Sequence, residues 1–202
     1  LSARKDEVSN LAMDNRSIVY PSASVSFLPT SAFPFLKSDL INLLKVRASY
    51  GTSANFPFGY PISATLTLDT QDFLTDAGGQ VITNTSGSLL GNPNLKPETI
   101  SEIEFGLEGR FLDSRLSVDF SVYSKSTNDL IITRPLDPST GYTATQTNIG
   151  EIENTGVELD LGLDIIRGQD ISWSAFINYS ANESIVLDLG LDTEEIVYSG
   201  FS

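Results

Sequence analysis

Apolar and polar residues alternate through four long runs between residues 99 and 180, and the runs are joined in turn by a tight polar connection and a long loop. Successive side chains of a strand point to opposite faces, so each run has one greasy side and one charged side. In 102–111, Ile103, Phe105, Leu107 and Phe111 share one face, and Glu102, Glu104, Gly106, Glu108 and Arg110 the other. Leu116, Val118, Phe120 and Val122 then oppose Ser117, Asp119, Ser121 and Tyr123. Val157, Leu159, Leu161, Leu163 and Ile165 likewise oppose Glu158, Asp160, Gly162 and Asp164.

A soluble sandwich also alternates, so length and loop asymmetry must decide. Soluble strands run to about 5–6 residues, whereas a tilted strand crossing a bilayer needs about 9–11; these runs keep their parity for roughly the longer span. Residues 112–115 and 167–170 are short polar turns, while 52–98 and 130–153 are long and rich in Gly, Pro, Asn, Ser and Thr. Successive connections of antiparallel strands lie at opposite ends, so long loops gather at one end and short turns at the other. Outer-membrane barrels have that shape, with short periplasmic turns and long extracellular loops. The expected fold is therefore all-β, an antiparallel transmembrane β-barrel fragment of about six strands. The smallest single-chain barrels have about eight, so the chain reads as a piece of a larger one.

Composition narrows the chemistry. With no Cys and no His, neither a disulfide framework nor a Cys/His zinc site can form. The 26 acidic against 12 basic residues argue against nucleic acid as a partner. No apolar stretch approaches the roughly 18 residues of a membrane helix, a demand that a barrel escapes by pairing its backbone between strands. No basic and apolar leader precedes Leu1, so the reading expects neither a signal peptide nor a true N-terminus.

Further strands are expected at 1–9, at 17–30 with regular pairing after Pro21, at 42–51 and at 171–181, and a turn with a short helical piece at 31–39. In 42–51, Lys45 and Arg47 fall on the inward face, opposite in charge to Glu102, Glu104 and Glu108 of the expected neighbour. Cross-strand ion pairs follow. Lys45, Arg47, Glu102, Glu104, Glu108, Asp119, Glu158 and Asp160 are thus the expected lumen-facing residues. Trp173 and Tyr179 suit aromatic belts at the membrane interfaces. A loop as long as 52–98 is functional or disordered; its aromatic residues Phe56, Phe58 and Tyr60 are candidate contacts to substrate or partner, and residues 66–69 and 80–82 candidate small strands.

Several of these segments carry a resemblance. The run NPNLKPETISEIEFGLEGRFLDSRLSVDFSVYSKSTNDLI (92–131), followed by NIGEIENTGVELDLGLDI (148–165), resembles the late barrel strands of TonB-dependent outer-membrane receptors, above all the SusC-like branch. Upstream, LSARKDEVS, DNRSIVYPSASVSF and LLKVRASYG are similar to the preceding strands in the same order. After Gly51 the family often continues Thr-Gly-Asn, whereas here Thr52-Ser53-Ala54-Asn55 follows, a departure that bears on the path of the large loop. The resemblance implies import of a nutrient across the outer membrane, amid its lipid, with energy supplied through TonB. It also implies a plug domain upstream of this segment, a SusD-like lipoprotein over the mouth, and an oligosaccharide or peptide substrate.

Other chemistry is weak. The pairs Glu102/Glu104 and Glu158/Asp160 share a face but show no substrate cleft for acid/base catalysis, so no enzyme, cofactor or metal is expected. The acidic group Asp188, Asp192, Glu194 and Glu195 lacks the spacing and glycine of an EF-hand and reads as a solvated loop rather than a calcium site. The alternative to a transporter wall is a surface adhesin or soluble β-sandwich that binds through the aromatic loop.

Overall fold

The computed structural model describes residues 1–71 and 81–190. Its strands, in chain order, are β1 (Ser2–Glu7), β2 (Ser17–Phe27), β3 (Ile41–Asn55), β4 (Leu66–Gln71), β5 (Val81–Ser86), β6 (Leu89–Leu90), β7 (Glu98–Phe111), β8 (Leu116–Asn128), β9 (Ile131–Pro135), β10 (Ala144–Asn148), β11 (Glu151–Arg167) and β12 (Ser172–Asp188). In the β2–β3 connection a 3-10 turn at Pro34–Leu36 falls within 31–39, where a short helical piece is expected, while the one α-helical turn described, α1 (Pro29–Ala32), begins in the stretch expected as strand, because β2 ends at Phe27 and Pro29 opens the turn.

Seven strands form one sheet in the order β1-β2-β3-β7-β8-β11-β12, antiparallel at every step. Among the described residues the sheet is open at both edges, as a segment of a larger barrel must be. Its edge strand β1, six residues long, falls within the strand expected at 1–9, and the sheet counts seven strands where about six are expected. Residues directly opposite across an antiparallel pair share a face. Leu107, Phe120, Leu159 and Tyr179 form one apolar row, flanked by the rows Phe105–Val122–Val157–Ala181 and Gly109–Val118–Leu161–Ile177. Trp173 lies at the turn end of that face, beside Ile166 and a bulge that follows Asp164.

The strands outrun their alternation. β7 starts at Glu98 and β8 continues to Asn128, but beyond Ile103 the apolar face turns polar, with Ser101, Ser124, Ser126, Thr155 and Glu153. Hydrogen-bonded pairing thus persists where the sequence signal stops. From Ile103 to Phe111 a strand covers about 27 Å at about 3.4 Å per residue. At a tilt of about 40° this is roughly 20 Å of height, near the apolar band of outer-membrane barrels.

Two details differ from expectation. β2 pairs with β1 on both sides of Pro21, and only the ladder to β3 waits until Ser22. β3 runs past Gly51, where the large loop is expected to begin, and pairs with β7 as far as Asn55 opposite Glu98.

Connections alternate between the two ends. The loops 8–16, 56–97 and 129–150 share one end, and 28–40, 112–115 and 168–171 the other. The large loop contains the hairpin β4–β5 near the two expected small strands, although the start of the second, Gln80, lies outside the described residues. Among the described residues the fully buried large side chains are Leu11 and Leu95, both in loops, so neither face of the sheet is covered by a second layer.

Candidate functional site

The charged face is built from rows of opposed residues. Lys45, Glu108, Asp119, Asp160 and Asn178 form one row, and Arg47, Gly106, Ser121, Glu158 and Ser180 the next. Lys45 Nζ meets its opposite number Glu108 at 3.1 Å. Arg47 faces a glycine, so its guanidinium is free to reach sideways. It contacts Glu104 Oε1 at 3.3 Å and, one strand further, Asp119 Oδ1 at 2.9 Å. Glu102 lies opposite Lys125, and Asp160 accepts a hydrogen bond from Asn178. Arg47, Glu102, Glu104, Tyr123, Lys125 and Glu158 line an open groove of about 510 Å³. All eight charged residues singled out in the sequence therefore lie on one face. The Arg47–Asp119 pair was not foreseen, because the sequence shows neither register nor the gap left by Gly106.

At the loop end, three connections lock into a shelf. β10 pairs antiparallel with β9 and parallel with the two-residue β6, joining the loops 56–97 and 129–150 through backbone hydrogen bonds. The motif residues Asn92 and Asn148 act as clamps. Asn92 accepts from the Asn94 amide at 3.0 Å and donates to the Gln146 carbonyl at 2.8 Å. Asn148 holds Lys96 at both backbone groups and also donates to the Asp129 carbonyl. Glu98 uses one oxygen for the Ile131 amide and the other for Asn55, each at 2.7 Å. The short loop 8–16 joins them: Leu11 and Leu95 are both buried, Asn10 donates to the Pro57 carbonyl and Asn15 to the Asn94 carbonyl. Sequence reasoning noticed 92–98 and 148–150 as family signatures but missed this task, because isolated Asn side chains have no periodicity to read.

The aromatic candidates are displayed unequally. Pro57 and Pro61 are buried and anchor the segment, and Gly59 turns it at φ 74°. Phe58 is 99% exposed and Tyr60 64%, whereas Phe56 is half-buried. Of the acidic group near the C-terminal end, Asp188 accepts from the Gly190 amide at 2.7 Å; Asp192, Glu194 and Glu195 lie outside the described residues.

These features have counterparts in known proteins. The sequence model of the family described as TonB dependent receptor-like, beta-barrel, matches residues 1–196. TonB-dependent receptor P3 of Formosa agariphila is 32% identical over 93% of this chain and 18% of its own length. TonB-dependent receptor SusC of Bacteroides thetaiotaomicron is 28% identical over 98% of this chain and 20% of its own. Among solved structures, the RagAB peptide importer in its closed-closed state superposes with a TM-score of 0.86 at 27% identity, over 98% of this chain and 21% of the matched one. The chain thus spans about a fifth of the relatives that it matches, and those relatives are receptors rather than enzymes. Strand order, two-faced wall and family match agree: the chain belongs to the TonB-dependent receptors of the outer membrane and forms part of their β-barrel.

Proposed function

We propose that this segment is wall and mouth of an active importer. Its apolar face meets lipid, its charged face lines the lumen against a plug domain carried elsewhere in the protein, and the shelf lies outside the cell. The observation that carries this reading is the wall itself: seven strands with one apolar face on which, among the described residues, no second layer packs. A soluble sandwich would bury that face against another sheet, and a barrel in lipid need not. Energy reaches the importer through TonB and the plug. A SusD-like lipoprotein closes over the shelf, and Phe58 and Tyr60 are offered to it or to the substrate. The substrate is an oligosaccharide or a peptide; likeness to RagAB, described as a peptide importer, favours the peptide.

The test replaces Phe58 and Tyr60 by Ala in the full-length receptor, with Phe56→Ala made separately. Uptake of labelled oligopeptides and of labelled oligosaccharides is measured together with surface level and barrel heat-stability on a gel. The double variant is expected to lose uptake with the barrel intact, and Phe56→Ala to loosen the loop instead. Unchanged uptake at normal surface level removes both rings from the site.

A further inference from the structure

At the end opposite the shelf, the β2–β3 connection presents an aromatic ledge. Phe27 belongs to the apolar face, opposite Val46, which in turn lies opposite Leu107. Phe33 packs edge-on against Phe27 with ring centroids 6.3 Å apart, and Phe35 lies 5.9 Å from Phe33. The apolar face thus continues off the end of β2 onto a loop. Phe33 is 47% exposed and Phe35 82%, and neighbouring Leu40 is exposed as well.

This loop is held rather than loose. Where β2 stops at Phe27, β3 still offers the Leu44 backbone; Thr30 Oγ1 accepts from the Leu44 amide at 3.2 Å and donates to the Leu44 carbonyl at 3.5 Å. One buried hydroxyl therefore continues the ladder that β2 leaves. Beyond the helical turns, the Asp39 and Leu40 carbonyls accept from the Asp113 and Leu112 amides, tying the ledge to the neighbouring hairpin. Rings held rigidly in the open need an apolar surround, since exposed contiguous apolar patches mark contact surfaces.

We propose that the ledge formed by Phe33 and Phe35 is a membrane anchor, seated at the headgroup–acyl boundary of the leaflet at the turn end, with phospholipid as its occupant. Continuity with the lipid-facing wall through Phe27 selects lipid over a protein partner, and the inference rests on the reading that this face meets lipid. Trp and Tyr sit at that boundary through a polar tip; Phe, which has none, seats on its acyl side, as on the buried face of interfacial segments. Lys37, exposed two residues beyond Phe35, is placed to put its ammonium among headgroup phosphates while its stem stays with the rings.

The test uses the full-length receptor with one cysteine at a time, at Phe35, at Val46 in mid-wall and at Gln169 in the turn 168–171. Each is spin-labelled and the receptor reconstituted in phosphatidylethanolamine/phosphatidylglycerol vesicles. Accessibility to oxygen, which partitions into lipid, is compared with that to a water-soluble nickel complex. The expected result is a label at Phe35 shifted toward oxygen as at Val46, and a label at Gln169 shifted toward nickel. A Phe35 label as open to nickel as Gln169 places the ledge in water, and one shielded from both reagents places it under protein; either overturns the proposal while the Val46 label still reports lipid. A Val46 label that fails to report lipid overturns the reading of the apolar face, and the anchor with it.

Discussion

Arg47 lies across Gly106, so close that a β-carbon on the glycine would sit 2.3 Å from Nε and 2.7 Å from Cγ. The two residues are partners in register, and the missing side chain is what lets the guanidinium cross β7 to Asp119 on β8. Gly106→Ala is therefore expected to displace Arg47 and weaken both of its ion pairs. These groups are about a third exposed, so solvent screening holds the cost to about 1–2 kcal/mol. Heat-stability of the full-length barrel should fall accordingly, and the double variant Gly106→Ala/Arg47→Ala should be no less stable than Arg47→Ala alone. A glycine variant that adds its cost in full to the arginine variant would show that the contact does not matter.

The β7–β8 hairpin depends on Arg167, the last residue of β11. Leu112, Asp113 and Ser114 all have left-handed backbone, φ 56°, 54° and 59°, a conformation that costs roughly 1–2 kcal/mol per non-glycine residue. Arg167 donates to the Asp113 and Ser114 carbonyls and is itself held by Asp164 at 2.7 Å. Arg167→Ala should destabilise the barrel by about 1 kcal/mol, and Arg167→Lys should not rescue it, because an ammonium cannot span the three acceptors as a guanidinium does. Asp113→Gly should raise stability by roughly 0.5 kcal/mol, relief of strain outweighing added chain entropy. Thermal melting of the three variants checks both signs.

The shelf should open without the wall. Leu95 is fully buried and lies in the loop 56–97, outside the strands of the seven-stranded sheet. Leu95→Ala is expected to cost about 2–5 kcal/mol, confined to the loops. Protease cleavage within residues 8–16, 56–97 and 129–150 should rise at least roughly tenfold, with the folded band on a gel unchanged. Loss of the folded band would mean that the shelf and the wall form a single cooperative unit.

Parity was legible in the sequence and register was not. Leu159 and Glu158 declare their faces through their neighbours, because a period of two needs no knowledge of the partner strand. Which residue Arg47 would face depends on turn geometry and on the bulge between Ile41 and Leu43, neither of which leaves a pattern in the chain. Opposite charges on β3 and β7 could be matched in advance, but only the register shows that Lys45 meets Glu108 directly while Arg47 works diagonally. At the loop end the sequence carries family signatures and two expected small strands, but no sign of the clamps. Asn92 and Asn148 act singly on backbone groups, Glu98 on one backbone amide and one side chain, and the buried prolines that present Phe58 and Tyr60 look, in sequence, like any other loop prolines.

The segment expressed by itself should not give a stable water-soluble monomer. Phe105 at 53%, Ile177 at 62% and Trp173 at 56% exposure belong to one continuous apolar face, larger than soluble monomers tolerate. Its edges add to the problem, since β12 offers seventeen residues of strand with one unpaired side and several exposed apolar side chains, and β1 a second unpaired side. Such edges pair with other copies unless they are covered or charged. Purified without detergent, the segment is expected to elute as large aggregates on gel filtration, and detergent should disperse it by covering the apolar face while leaving the edges to pair. A sharp monomer peak in plain buffer would mean that something covers this face in water, and the assignment of that face to lipid would fall with it.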